Sequence, residues 1–272
     1  MTLKKWQKWL VGVVVMVPVL WLMASLYLTS QATSLLFNIQ TSWAPVPNFG
    51  YEQEWRRLSS GENISIWTFP NTSTERVILY FHGNGGRINT QLPEMNQYGT
   101  VVSAAYPGYH ESESRPTPEN VLATADYMYE FLTVERGIDP SNIVVLGHSL
   151  GGSPATYFAS KYTGIDRLII VNTFSSIQSM CFRSYTVLCG FTNNIFNTAR
   201  YAEDVTVPVH HFIYEEDTTI PSAEGEALSE YFTSSANYTK HYLEGYTHTY
   251  FDVSNLLETS GLTPTPSFEV AP

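Results

Sequence analysis

Ile143-Val144-Val145-Leu146-Gly147-His148-Ser149-Leu150-Gly151-Gly152 is the stretch from which the rest of the chain can be placed. Residues 143–146 are aliphatic without a break, as expected of a strand buried on both faces. Gly147-His148-Ser149-Leu150-Gly151 follows at once, and residues 150–161 then read as a helix. A serine with glycine two residues away on either side, between such a strand and a helix, predicts a very tight turn. The serine takes a strained backbone conformation there, and the glycines leave room for it. The hydroxyl is lifted above the sheet edge and aimed at the N-terminus of the following helix. The bare pattern also arises by chance, and a structural turn without chemistry would share its spacing; the flanking strand and helix favour the chemical reading. Pro154 denies the young helix one hydrogen bond and tilts its first turn.

Outward from this point, strands and helices alternate. Residues 77–81, 101–105 and 168–171 are further buried strands, and 207–214 and 241–243 follow. Thr117 caps a helix that opens on Pro118 and runs to Arg136-Gly137, with Val121, Ala125, Met128 and Leu132 at helical spacing. Helices are also predicted over 223–232 and 249–258. Two short strands, 54–58 and 63–69, precede the alternating part, with Ser60-Gly61 as their turn. The succession predicts an α/β domain over 51–258, with a mostly parallel central sheet and helices on both faces. Residues 259–272, with Pro264, Pro266 and Pro272, read as a disordered tail.

A serine hydroxyl is a weak nucleophile at neutral pH and needs a base, which needs a partner to orient it. Downstream of Ser149 stand His210, His211, His241 and His248. His248, in Gly245-Tyr246-Thr247-His248, lies in the loop after the last strand and is the expected base. His241, inside that strand, is the alternative, and His210 and His211 read as partly exposed strand residues. The acid is expected where the preceding strand ends, in Glu215-Glu216-Asp217. Asp217 is favoured and Glu216 is the fallback, against a merely solvated acidic loop. Such a carboxylate holds the imidazole in one tautomer and stabilises its protonated form.

A tetrahedral intermediate also needs donors for its oxyanion. Phe81-His82-Gly83-Asn84-Gly85-Gly86 follows the first buried strand. The backbone N–H groups of Asn84 and Leu150 are assigned to the oxyanion hole, with His82 orienting the loop from beneath. As a phosphate cradle the segment lacks the lysine and Ser/Thr of a P-loop.

Tyr80-Phe81-His82-Gly83-Asn84-Gly85-Gly86, Tyr106-Pro107-Gly108-Tyr109, the Ser149 pentapeptide, Asp217-Thr218-Thr219-Ile220-Pro221 and Gly245-Tyr246-Thr247-His248 stand in the order used by α/β-hydrolases. Over about residues 51–258 the chain resembles that superfamily, and within it the small membrane-anchored serine hydrolases of acyl esters, thioesters or peptides. The resemblance implies an α/β-hydrolase fold and a catalytic Ser149, Asp217 and His248. Two departures bear on the pocket. Relatives often carry Asp-Tyr-Arg-Gly-Tyr-Gly where this chain has Ala105-Tyr106-Pro107-Gly108-Tyr109-His110, and a small pair where it has Glu215-Glu216. Residues 175–204 occupy the place of the family's cap. Their Met180, Phe182, Tyr185, Leu188, Phe191 and Phe196 form either an apolar cover over an acyl or aromatic pocket or ordinary packing.

Lys and Arg total 14 against 25 Asp and Glu, for a net charge of −11. Lys4, Lys5 and Lys8 lie in an N-terminal segment without acidic residues, so the body is more negative still. Nucleic acid is excluded as a partner by charge repulsion. Residues 9–28 carry no charge and are long enough to span a hydrocarbon core, with Trp6, Trp9 and Tyr27 placed as interfacial anchors. The preceding lysines predict a cytoplasmic tail at residues 1–8 and a body on the non-cytoplasmic side, joined by a linker at 29–50. Ser30-Gln31-Ala32 keeps open a cleaved signal segment, which would release the body as a secreted or periplasmic protein. Cys181 and Cys189 either pair in an oxidising compartment or are two small buried thiols. Neither lies at metal-ligand spacing from a histidine, and no cofactor or metal is expected. Asn63, Asn71 and Asn237 begin N-x-Ser/Thr triplets. The expected activity is acyl transfer to water on a small acyl substrate. A peptidase of the same fold and a catalytically silent binding protein are the alternatives.

Overall fold

The computed structural model describes residues 4–37, 50–85, 92–110, 112, 114–185, 196–248 and 252–265. Eight strands form one sheet: β1 (Glu52–Arg57), β2 (Asn63–Phe69), β3 (Val77–Phe81), β4 (Thr100–Ala105), β5 (Ile143–His148), β6 (Arg167–Val171), β7 (Val209–Tyr214) and β8 (Tyr238–Leu243). Their spatial order is β1-β2-β4-β3-β5-β6-β7-β8. β2 pairs antiparallel with β1 and β4, and every pairing from β4 to β8 is parallel. The chain is an α/β protein with the mostly parallel sheet that its alternating pattern predicts.

The central strands bury both faces, so alternate residues feed two cores. Ile143 and Val145 join Val77, Leu79, Leu168 and Ile170 on one face. Val144 and Leu146 join Ile78, Tyr80, Ile169 and Val171 on the other. The first face is covered by α3 (Pro118–Glu130), α4 (Gly152–Lys161), α6 (Thr198–Ala202) and α7 (Ser222–Ser229), through Val121, Ala125, Met128, Phe158, Ala202 and Leu228. The second is covered by α2 (Leu92–Asn96) and α8 (Val253–Thr259), through Met95, Leu256 and Leu257. Phe158 is fully buried, and removing a side chain of that size costs about 3–5 kcal/mol.

Local signals set the ends of the elements. Thr117 and Asn120 cap α3 reciprocally, Thr117 Oγ1 accepting from Asn120 N and Asn120 Oδ1 accepting from Thr117 N, with Pro118 opening the helix. The helix passes into a π-helical turn at Phe131–Glu135 and stops at Gly137, whose φ is +68°. Pro154 falls in the first turn of α4, where its missing N–H costs least.

Four features differ from expectation. The N-terminal helix α1 runs Lys5–Leu36, so residues 29–36 continue it and are not linker. Ser25 to Leu36 contains one β-branched pair of threonines and no glycine or proline to stop it. Residues 259–265 are not a free tail. Leu262 is buried, Thr265 N donates to Gln97 O at 2.8 Å, and Arg76 Nη1 donates to Thr263 O at 3.3 Å. β8 begins at Tyr238, three residues earlier than predicted, because its N-terminal half pairs in register with Val209 to His211. His211 is fully buried and not partly exposed. It points into the sheet–α7 layer, within hydrogen-bond distance of the Tyr238 hydroxyl (3.0 Å) and beside the Phe232 ring. The predicted linker residues 38–49, Cys189, the start of the last helix at 249–251, and tail residues 266–272 lie outside the described residues.

Burial, and then the nearby Lys240 ammonium, push the His211 imidazole down to about 3. An unfolded histidine takes its proton near pH 6.5. The native state therefore binds fewer protons than the unfolded one between about pH 6.5 and 3, and stability falls as pH falls through that window. Thermal midpoints measured at about pH 7 and about pH 5 should drop less in His211→Phe than in the wild type. Equal drops would contradict a neutral His211.

Candidate active site

β5 lies at the middle of the sheet, and the chain leaves its C-terminal end through the turn that holds Ser149. Ser149 has φ +55°, in the left-handed region, which costs a non-glycine residue about 1–2 kcal/mol. Two contacts show why the turn is glycine-flanked. A Cβ on Gly147 would lie 2.5 Å from Gly151 O, and one on Gly151 would lie 2.0 Å from Phe81 O. β5 and the start of α4 are thus pressed against the end of β3. Thr173 Oγ1, just past β6, donates to Ser149 O at 2.9 Å and ties the turn to the neighbouring strand.

The structure brings three of the predicted residues into hydrogen-bond contact. Ser149 Oγ lies 2.9 Å from His248 Nε2, and His248 Nδ1 lies 2.6 Å from Asp217 Oδ2. Asp217 follows β7 and His248 follows β8, so both reach the same C-terminal sheet edge as Ser149. The Asp217 side chain is wholly buried. Burial pushes its carboxyl up, but hydrogen bonds from His248 and from the backbone N–H groups of Ile220 and Thr219 outweigh this and hold it below the usual range. An ionised carboxylate only accepts, so Nδ1 of His248 carries the proton and Nε2 faces the serine as acceptor. The hydroxyl proton then points at a base. A serine, imidazole and carboxylate so arranged can pass a proton from oxygen to nitrogen.

Glu216, the fallback acid, is exposed, and His241 sits elsewhere. Its Nε2 is 3.1 Å from His210 Nδ1, and its ring stacks on Phe212 at 4.5 Å.

Several supporting residues carried no mark in the sequence. His148 Nε2 donates to the His248 carbonyl at 3.2 Å. Burial, and then the nearby His248, hold the His148 imidazole down at about 3, so it stays a neutral donor. Asn172, one residue past β6, donates from Nδ2 to Asp217 Oδ2 at 2.6 Å. Polar residues at strand ends resemble solvated loop positions in sequence, and only their burial distinguishes them.

The Gly83-Asn84 loop runs against the serine: a Cβ on Gly83 would lie 3.3 Å from Ser149 Cβ. His82 Nδ1 lies 2.8 Å from Gly83 O, and the Tyr106 hydroxyl donates to His82 O at 3.1 Å. Tyr109 Oη donates to Asn84 Oδ1 at 2.6 Å. Leu150, the other assigned donor, is the second residue of the helical turn Ser149–Gly151. Gly86 lies outside the described residues.

Within residues 175–204, α5 (Ile177–Tyr185) docks on α7 through a polar hub. The fully buried Glu224 accepts from Ser175 Oγ at 2.8 Å, Ser179 Oγ at 2.6 Å and Arg183 Nε. Phe182 is exposed, while Phe196 packs edge-on against Phe37, just after α1, with ring centroids 6.1 Å apart. Cys181 is disulfide-bonded. Residues 186–195 lie outside the described residues.

The close approach at Gly151 is testable by stability. Gly151→Ala drives a methyl into backbone that cannot rotate away, and denaturant unfolding should show a loss of about 3 kcal/mol or more. Gly85→Ala meets nothing within 4 Å and should stay within about 1 kcal/mol of wild type. Similar losses in both would contradict this packing.

A family profile described as the alpha/beta hydrolase fold matches residues 76–188. The lysophosphatidylserine lipase ABHD12 of Danio rerio is 28% identical over 194 residues, covering 62% of this chain and 50% of its own. The uncharacterized membrane protein YNL320W of Saccharomyces cerevisiae is 28% identical over 138 residues, covering 46% of this chain and 49% of its own. The chain thus spans about half the length of these relatives. Esterase Pf2001 of Pyrococcus furiosus superposes with a TM-score of 0.61 over 83% of this chain and 93% of that one, at 15% identity, a likeness of fold. With its strand order, its serine turn at the sheet centre and these matches, the chain has the α/β-hydrolase fold.

Proposed function

We propose that this chain is a serine hydrolase that cleaves carboxylic esters or thioesters through an acyl-enzyme on Ser149. The observation that carries the reading is the unbroken contact from Ser149 Oγ through His248 to Asp217. Ser149 Oγ attacks the substrate carbonyl carbon while its proton passes to His248 Nε2. Asp217 stabilises the imidazolium without taking the proton. The carbonyl oxygen, now negative, is held by the N–H groups of Asn84 and Leu150. The carbon–oxygen or carbon–sulfur bond to the leaving group breaks, and the leaving group takes the proton from His248. Water, deprotonated by the same imidazole, then attacks the acyl-enzyme and releases the acid and Ser149.

An acyl rather than peptide substrate is supported by the lysophosphatidylserine lipase relative and by the apolar N-terminal helix. Lys5–Tyr27 is long and apolar enough to cross a membrane. Its Trp9, Val14, Met16 and Met23 side chains are exposed on the chain itself, which suits lipid as their surroundings. In this reading residues 9–28 anchor the protein, residues 1–8 stay cytoplasmic, and the body at 51–258, with its cap at 175–204, lies on the other side.

Steady-state hydrolysis of p-nitrophenyl esters tests the mechanism. The wild type should turn over, and Ser149→Ala and His248→Ala should each lower kcat by at least about 10³-fold. Activity retained in either variant would contradict the assignment. Aminoacyl anilides run beside esters of rising chain length discriminate peptidase from esterase, and faster anilide cleavage would overturn the ester reading.

A further inference from the structure

Asn172 is buried, and it sits in the left-handed region at φ +43°. Asparagine tolerates that conformation better than most residues, but glycine does so at less cost, so the backbone alone does not call for an amide. The side chain makes two bonds of opposite sense. Its Oδ1 accepts from Tyr214 N at 2.7 Å, and its Nδ2 donates to Asp217 Oδ2 at 2.6 Å. A backbone N–H can only donate and an ionised carboxylate can only accept, so the amide has one possible orientation. It clamps the acid loop to the last residue of β7.

We propose that Asn172 is a positioning residue for the acid–base pair, keeping the Asp217 carboxylate ionised and turned toward His248. The proposal rests on the hydrolase reading of Ser149, His248 and Asp217. Thr219 and Ile220 donate to Oδ1, while His248 and Asn172 donate to Oδ2. Four donors fill the carboxylate's four acceptor positions. The two on Oδ2 fix its rotation, and with it the plane of the imidazole. Other titratable groups facing Asp217 are His148 from β5 and Tyr214 from β7. Glu215 and Glu216, on its own loop, are exposed. Of the groups around the buried oxygen, Asn172 is the side-chain donor that cannot lose or gain a proton. Its hold on the acid is therefore the same at every working pH.

Two variants of the full chain test this with p-nitrophenyl butyrate, beside fluorophosphonate labelling of the wild type. Asn172→Gly keeps the left-handed backbone and removes the clamp; kcat should fall about tenfold or more while KM changes by less than about twofold. Asn172→Asp is nearly isosteric. Of two carboxyl groups so close, one holds its proton well above the usual carboxylate range, so at low pH the new carboxyl is protonated and can still donate to Asp217. As pH rises it loses that proton. The kcat profile should then gain a falling alkaline limb that the wild type lacks. An active, labelled wild type whose glycine variant keeps its kcat, or whose aspartate variant shows no new limb, overturns the role of Asn172 and leaves the hydrolase reading standing. A folded wild type that is neither labelled nor active overturns the hydrolase reading, and the positioning role with it.

Discussion

The constraint on which the site depends is the left-handed backbone of Ser149, held where β5 turns into α4. On its own such a residue costs about 1–2 kcal/mol and would relax. It persists because β5 is flanked by parallel strands on both sides, Thr173 holds the serine's carbonyl, and Gly151 sits against the carbonyls of Phe81 and His82. The burial of residues such as Ile143, Val145 and Phe158 more than offsets the strain. Released from it, the hydroxyl would leave the position from which it meets His248.

The parallel sheet does the gathering. β3, β5, β6, β7 and β8 run the same way, so their C-terminal ends share one edge. Gly83-Asn84, Ser149, Asn172, Asp217 and His248 each follow a different one of these strands. Residues about 100 positions apart in sequence thereby reach hydrogen-bond distance without a long loop. Electrostatics then sorts the polar groups. The imidazoles of His82 and His148 are kept neutral, at about 4 and about 3, and serve as fixed donors. Asp217, given four donors, keeps its charge despite its burial.

Much of this was legible in the residues. The uninterrupted apolar runs of β3, β5 and β6 admit little besides strands buried on both faces, and the glycines beside Ser149 marked the turn. Chain order and their places after strands single out Asp217 and His248, which the fold brings into contact with each other and with Ser149. The burial of His211 is not legible, because a histidine beside another histidine in a strand resembles surface; it follows from strand register, which pattern alone does not give. The docking of Thr263 and Thr265 is not legible because proline near a chain end resembles disorder, while their partners Arg76 and Gln97 lie far away in sequence. Asn172, Thr173 and His148 carry no motif. Their meaning lies in hydrogen bonds to groups 24 to 100 residues distant.

In the proposed mechanism the strained serine is the nucleophile, and the Asn84 and Leu150 N–H groups receive the developing negative charge. A crystal structure of the chain after reaction with an alkyl fluorophosphonate tests it most directly. Phosphorus should be bonded to Ser149 Oγ, with its non-bridging oxygen about 3 Å from both N–H groups. An adduct on another residue, or an oxygen turned away from Asn84 and Leu150, would contradict it.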